Sequence, residues 1–229
     1  MKVGNILISY EENDKKIVVP EGITHIDDGA FVDLDNLEEI VFPDSLRKIG
    51  MEAFWGCENL KKIDFGNGIE DIAESAFSDC DSLEEIELPG SINYIGAYAF
   101  ENCKNLKRVH ISDGTDSEGE DYVMCIAERA FADCKMLLEV NIEKKMEDTG
   151  KEAFAGSGLK EFVFPQMVKN RAYISERMFE NCKSLEKVVL PAHLKEIKDD
   201  AFRGCTNLRC IERDLDEWVE VEIENGVVV

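Results

Sequence analysis

Apolar residues recur along this chain in one fixed frame. The stretch Ile69 to Leu88, IEDIAESAFSDCDSLEEIEL, shows it: Ile69, Ile72, Phe77, Cys80, Leu83, Ile86 and Leu88 stand among acidic and small polar residues, and Pro89 follows. Aligned on the aromatic position, the copies fall at Phe31, Phe54, Phe77, Phe100, Phe131, Phe154, Phe179 and Phe202, with separations of 23, 23, 23, 31, 23, 25 and 23 residues. A period of this size predicts a solenoid, in which each copy is one coil that cannot bury its own apolar frame and must stack on its neighbours. Within a coil, Leu83 to Leu88 alternates as a short strand with Ile86 and Leu88 inward, and Pro89 stops its pairing. The Ala99-Phe100 step, flanked by helix-compatible residues, predicts a short helical turn that brings the chain around.

The predicted organisation is a single unit over 1–229: an N-terminal cap and first strand at 1–20, repeats over 21–213 with an insertion near 112–124, and a C-terminal cap at 214–229. Lys16 to Pro20 precedes Glu39 to Pro43 by one period, and Ile6 to Tyr10 is expected to pair with it as a cap. At the other end Val219, Val221 and Ile223 alternate with glutamates, and Asn225-Gly226 signals a hairpin turn. The eight extra residues between Phe100 and Phe131 belong in the polar run Ser112 to Asp121, and two more lie between Phe154 and Phe179. The sixth coil is expected to be the least regular, because it lacks a residue between Phe154 and Leu159 and carries Thr149 where other copies have Ile.

Composition narrows the function classes. The net charge of -23 repels nucleic acid and anionic membrane, so a partner recruited by charge is cationic. The acid-rich stretches Asp113 to Asp121 and Glu212 to Glu224 hold close to half of that excess. Near the start the longest apolar run is Ile6 to Ile8, too short for an export signal or a membrane span, so neither is expected within this sequence.

With Ile92, Ile95, Gly96, Ala99, Phe100, Cys103, Leu106, Val109 and Ile111 in place, the frame resembles the BspA-like leucine-rich repeats over about residues 15 to 213. That resemblance implies an α/β fold, a right-handed solenoid of short parallel strands and short helical turns, with about eight repeats and terminal caps. It implies no catalytic residues, since the family shares none. The expected role is a non-catalytic protein-protein interaction module, adhesin-like at the cell surface, with an intracellular scaffold or structural repeat protein as the alternative; the expected partner is another protein.

Chemistry-bearing residues are otherwise sparse. Six cysteines, Cys57, Cys80, Cys103, Cys134, Cys182 and Cys205, occupy one repeat position, with Leu34 and Ser157 in the other two copies. Stacked in parallel they are poorly set for disulfides and read as small buried packing groups, and no CxxC spacing suggests zinc. Cys125 and Cys210 lie outside the column, and Cys210 is the expected reactive thiol. The three histidines fall in different repeats, so no catalytic triad is expected; no phosphate loop, metal site or cofactor is expected either. The acidic run after Ser112 lacks the ligand spacing of a calcium loop.

The outward side of the strands, or the acidic insertion after His110, is the expected binding surface. The first outward row, Lys16, Glu39, Lys62, Glu85, Arg108, Glu139, Glu161 and Lys187, alternates in sign over the first six, and the second row reads Val18, Val41, Asp64, Glu87, His110, Asn141, Val163 and Val189. Opposite charges side by side on neighbouring strands also stabilise the sheet itself. The candidate binding residues are therefore the central ones: Lys62, Asp64, Glu85, Glu87, Arg108, His110, Glu139 and Asn141.

Overall fold

The computed structural model describes residues 1–10, 12, 14–114, 123–168, 172–191, 193–213, 223–224 and 227–228. The chain opens with β1 (Lys2–Val3) and β2 (Ile6–Leu7) and then places a front and a back strand in each coil. These are β3 (Lys16–Val18) and β4 (His25–Ile26), β5 (Glu39–Val41) and β6 (Lys48–Ile49), β7 (Lys62–Asp64) and β8 (Asp71–Ile72), and β9 (Glu85–Leu88) and β10 (Tyr94–Ile95). The second half continues with β11 (Arg108–Ile111) and β12 (Val123–Ile126), β13 (Glu139–Ile142) and β14 (Lys145–Thr149), β15 (Glu161–Val163) and β16 (Tyr173–Ile174), and β17 (Lys187–Leu190) and β18 (Glu196–Ile197). A last front strand, β19 (Cys210–Arg213), is followed by β20 (Ile223–Glu224) and β21 (Val227–Val228), which pair antiparallel. Residues Val219, Val221 and Asn225-Gly226, on which the expected C-terminal cap rests, and 115–122 of the insertion lie outside the described residues.

The predicted helical turns are not there: among the described residues no helix occurs, and the fold is a parallel β-solenoid of eight coils. The reason lies two residues either side of each Phe. The position before is left-handed in every coil (Gly29, Glu52, Ser75, Tyr98, Arg129, Glu152, Arg177 and Asp200), and so is the position after (Asp33, Gly56, Asp79, Asn102, Asp133, Gly156, Asn181 and Gly204). A left-handed residue every fourth position cannot propagate a right-handed helix. The turn instead hydrogen-bonds along the stack: the N–H of Phe31, Phe54, Phe77, Phe100 and Phe131 each donates to the alanine carbonyl of the next coil at 2.8 Å.

The core is a set of columns, one residue per coil. The eight Phe rings stack nearly parallel, with neighbouring centroids between 4.6 and 5.9 Å apart and interplanar angles of at most 12°. Tyr10 continues this column at the N-terminal end, 5.5 Å from Phe31, while its N–H donates to the Ala30 carbonyl. The terminal β1–β2 hairpin is antiparallel, and β2 pairs with the back strand β4, where the sequence had suggested the front strand Lys16 to Pro20. A cap placed there covers the end of the back sheet and the ring column together.

The column thiols have a specific partner. Cys57, Cys80, Cys103, Cys134, Cys182 and Cys205 each donate to the carbonyl of the Phe in the preceding coil, at 3.0 to 3.3 Å. These carbonyls lie beside the rings and away from water, so the thiol supplies a donor that an aliphatic side chain would not. Leu34 stands at the thiol position in the first coil, where the preceding turn carries Tyr10 in place of Phe.

Front and back differ in continuity. On the back, β1, β2, β4, β6, β8, β10, β12 and β14 form one eight-stranded sheet, and β16 pairs with β18. The front is cut into three blocks of three strands, β3-β5-β7, β9-β11-β13 and β15-β17-β19. Both cuts fall where the second inward residue of the strand segment changes between aromatic and aliphatic. Phe42 and Phe65 give way to Leu88, and Ile142 gives way to Phe164 after Phe162 has replaced the usual Ile or Val. Phe65 and Phe164 pack edge-on against the ring column at 5.7 and 6.1 Å, but a ring beside an aliphatic does not by itself part the strands, because Val19 beside Phe42 and Phe164 beside Leu190 lie within intact blocks.

The sixth coil is irregular: the β12–β14 register shifts between Met124 and Cys125. Thr149 is buried there, with its hydroxyl 3.2 Å from Ser175 Oγ and 3.6 Å from Met178 Sδ. Met178 is the one residue that departs from Ala before the Phe, so a large side chain fills the space that Thr leaves beside it, and the ring spacing reaches its maximum of 5.9 Å at this junction. Lys144, in the same coil, is fully buried and donates from Nζ to the carbonyls of Gly90, at 2.6 Å, and Ile92. It thereby reaches past the coil that carries the insertion.

Candidate functional site

Short parallel strands fix the front face. Outward residues project from alternate positions while Ile63, Ile86 and Val109 anchor each strand in the core, so the outward side chains sit on a rigid base. In register, Arg108 lies between Glu85 and Glu139, and His110 between Glu87 and Asn141. Six of the eight candidate residues thus share the block β9-β11-β13. Lys62 and Asp64 belong to the neighbouring block, across a groove of about 540 Å³ lined by Lys61, Lys62, Glu84, Glu85 and Glu87.

Each block organises its own charges around a central one. Glu39 lies 3.0 Å from Lys16 and 3.7 Å from Lys62. Arg108 pairs with Glu85, and Lys187 lies 3.1 Å from both Glu161 and Glu212. The ladder read from the sequence is therefore three local clusters, since Lys62 and Glu85 pair within their own blocks. The hydrogen bond donated by Lys16 lowers the Glu39 carboxyl below the usual range, and the hydrogen bonds that Lys187 donates to Glu212 and Glu161 raise its ammonium. Beside the face, Lys15 and Lys61 both hydrogen-bond Glu38 and lower it to about 2. These exposed pairs set the electrostatic pattern and contribute little to stability.

His110 is half-buried, with Nδ1 3.2 Å from Asn141 Nδ2 and Nε2 4.0 Å from Glu143. Asn141 Nδ2 is a donor, which makes Nδ1 the acceptor and leaves the proton on Nε2, facing Glu143. Glu143 was not among the sequence candidates; it sits one residue past β13, beyond the alternation that selected the others. Two more residues border the second cut in the sheet: Glu161, which the alternation placed in the outward row but outside the central candidates, and Leu138, which it left out.

The remaining chemistry stays dispersed. His25 and His193 lie in other coils, and among the described residues no group of three His, Cys, Asp or Glu side chains is placed to hold a metal ion. Burial pushes the Cys57 thiol up to about 12 and holds Cys80 and Cys103 well above the ordinary range. Cys210, expected to be reactive, is also raised, by burial and by Glu212, whose Oε1 lies 3.5 Å from its sulfur. A raised thiol is a poorer nucleophile at neutral pH, so that expectation is weakened. Among the described residues no helix is long and apolar enough to cross a membrane.

Comparison with known proteins fits this geometry. The solenoid is similar to the pneumococcal vaccine antigen PcpA, at 23% identity and a TM-score of 0.56 over 91% of this chain and 63% of that one, a likeness of fold. A leucine-rich repeat protein of T. pallidum aligns at 26% identity over 66% of this chain and 80% of its own, with a TM-score of 0.48. One from Bacteroides ovatus aligns at 20% identity over 86% and 78%, with a TM-score of 0.40. A search of curated protein sequences gives no significant match. The family profile described as "BspA type Leucine rich repeat region (6 copies)" matches residues 4–122 and 115–215, nearly the whole chain. With its ring column, thiol column and stacked parallel strands, the chain belongs to the BspA-type leucine-rich repeat family.

Proposed function

We propose that this chain is a non-catalytic protein-interaction module that engages its partner through the front face, centred on β9, β11 and β13. The observation that carries this reading is the second row of that block: Glu87, His110 and Asn141 stand in register on strands whose inward residues are locked in the core. Arg108 and Glu139 beside them supply charge of both signs. A rigid base lowers the ordering cost of binding, and a mixed-charge face selects partners by charge pattern. Membership of a family that consists generally of interaction modules, often on bacterial surfaces, supports the same role, and an adhesin-like binder at the cell surface is its finer form.

The test compares wild type with Arg108→Glu plus His110→Ala in pull-downs from host extracellular matrix and from a lysate of the producing cell. A partner held by wild type and lost by the double variant supports the face as the binding surface, and the source of that partner separates adhesin from intracellular scaffold. Equal capture by both proteins overturns the assignment.

A further inference from the structure

Among the described residues, the junction between the sixth and seventh coils is loosely paired on both faces. The front ladder is cut between β13 and β15, and among the described residues the back pairing between β14 and the next coil is the Met146–Met167 bridge, with Met146 N–H donating to Gln166 O and Val168 N–H to Met146 O. The ring column is also widest there, at 5.9 Å. A groove of about 540 Å³ runs along the front cut, with Leu138, Val140, Val163 and Phe164 in its walls together with Glu139, Glu161 and one cation, Lys160. Leu138 is 47% exposed and Val163 52%, and Val140 is the one inward residue of the front strands that is only half-buried. The facing edges of β13 and β15 carry backbone groups that no neighbouring strand pairs.

Charge identifies what fits. Glu139 and Glu161 adjoin across this cut, the one place in the first outward row where two like charges are neighbours. Glu161 shares Lys187 with Glu212. Glu139 makes no ion pair among the described residues, because Arg108 turns to Glu85. Two carboxylates above an apolar floor match a basic side chain with an aliphatic stem, and Arg in particular suits a bidentate site. A second copy of this chain is disfavoured as occupant, because its net charge of -23 repels a like surface.

Resting on the reading of the front face as an interaction surface, we propose that the joint between β13 and β15 receives an extended segment of a protein partner that carries an arginine or lysine between apolar residues. The cation seats between Glu139 and Glu161, and its apolar neighbours lie on Leu138 and Val163. The occupied joint replaces a like-charge contact by two attractive ones and covers the exposed apolar walls.

Short random peptides displayed on phage, selected on the full chain, test this. Enriched clones are synthesised and their affinities compared for wild type, Glu139→Gln plus Glu161→Gln, and Glu85→Gln plus Glu87→Gln, after far-UV spectra show that all three proteins are folded. The expected result is enrichment of apolar-basic-apolar sequences whose binding weakens about tenfold or more in the Glu139/Glu161 variant and stays within about twofold in the other. Binders sensitive only to Glu85 and Glu87 overturn the joint and leave the face reading standing. Failure to enrich any clone, or clones indifferent to both variants, overturns both.

Discussion

The ring column makes a quantitative prediction, because coupling between coils is confined to nearest neighbours. Phe77 and Phe100 are fully buried and stack at 5.2 Å with 4° between their planes, and Phe100 stacks again on Phe131 at 5.3 Å and 3°. Replacing Phe100 by Leu keeps an apolar side chain in place but removes two stacked contacts, each contributing roughly 0.5–1.5 kcal/mol beyond area burial. Adding about 1 kcal/mol for lost volume and imperfect repacking gives an expected cost of about 2–4 kcal/mol for Phe100→Leu, and a larger one for Phe77→Leu, which also loses the edge-on contact with Phe65. The double variant loses three stacked contacts, not four, because the two residues share one. Its cost should therefore fall short of the sum of the singles by roughly 0.5–1.5 kcal/mol, the energy of the shared pair. Phe54→Leu with Phe131→Leu, whose rings are separated by Phe77 and Phe100, should add to within about 0.5 kcal/mol. Equilibrium urea unfolding followed by far-UV circular dichroism measures all of these, with m-values compared across the set so that a change in cooperativity is visible. Additivity in the adjacent pair, or equal coupling in the distant one, would refute the claim that the rings act as a nearest-neighbour column.

Two further outcomes follow from buried polar groups. Burial lowers the Lys144 ammonium to about 8, with Asp113 partly opposing, whereas an unfolded lysine titrates near ~10.4. Between those values the unfolded chain binds more protons than the folded one. Stability should therefore rise with pH across that window, by up to ~3 kcal/mol from this residue, and Lys144→Met should remove that slope; urea midpoints that change in parallel for both proteins from about pH 7.5 to 10 would argue against it. Thiol labelling of the native protein should leave the six column cysteines unreacted and modify Cys125 and Cys210, with Cys210 slower than an ordinary exposed thiol, whereas all eight should label in denaturant. Rapid native labelling of any column thiol would show that the Phe carbonyl contacts do not hold.

How far the structure was legible differs by feature, and the differences have physical causes. The period, the inward columns and the outward rows came directly from the sequence because a parallel stack repeats each environment once per coil. The turn was misread because Ala, Phe and their flanking residues are all compatible with a helix. The contrary signal was present two residues after each Phe, where all eight copies have Asp, Asn or Gly, the residues that tolerate a left-handed backbone best. The second position, before the Phe, was illegible: Glu52, Tyr98 and Arg129 have no such preference, and the turn forces them into φ between 54 and 60° through its hydrogen bonds to the next coil. Lys144 was equally hidden, since its carbonyl partners, Gly90 and Ile92, lie two coils away.

The candidate site was half legible for a related reason. Alternation named the residues that face outward, but it treats the face as continuous, whereas the strands part at two places. Phe65 beside Leu88 and Ile142 beside Phe164 are ordinary apolar changes in a sequence, and the same kind of change from Val19 to Phe42 and from Phe164 to Leu190 leaves the strands paired, so the residue pattern alone does not mark the cuts. At the second cut the surface changes with the core: Glu139 meets Glu161 where the sheet already parts, so repulsion between them costs no paired strand. In a regular block the same contact would oppose strand pairing and be destabilising. A like-charge pair is thus tolerated at the place where the backbone edges and the apolar walls are also open, and that coincidence of apolar walls, backbone and charge makes the joint, more than the regular ladder beside it, the place to look for partner specificity.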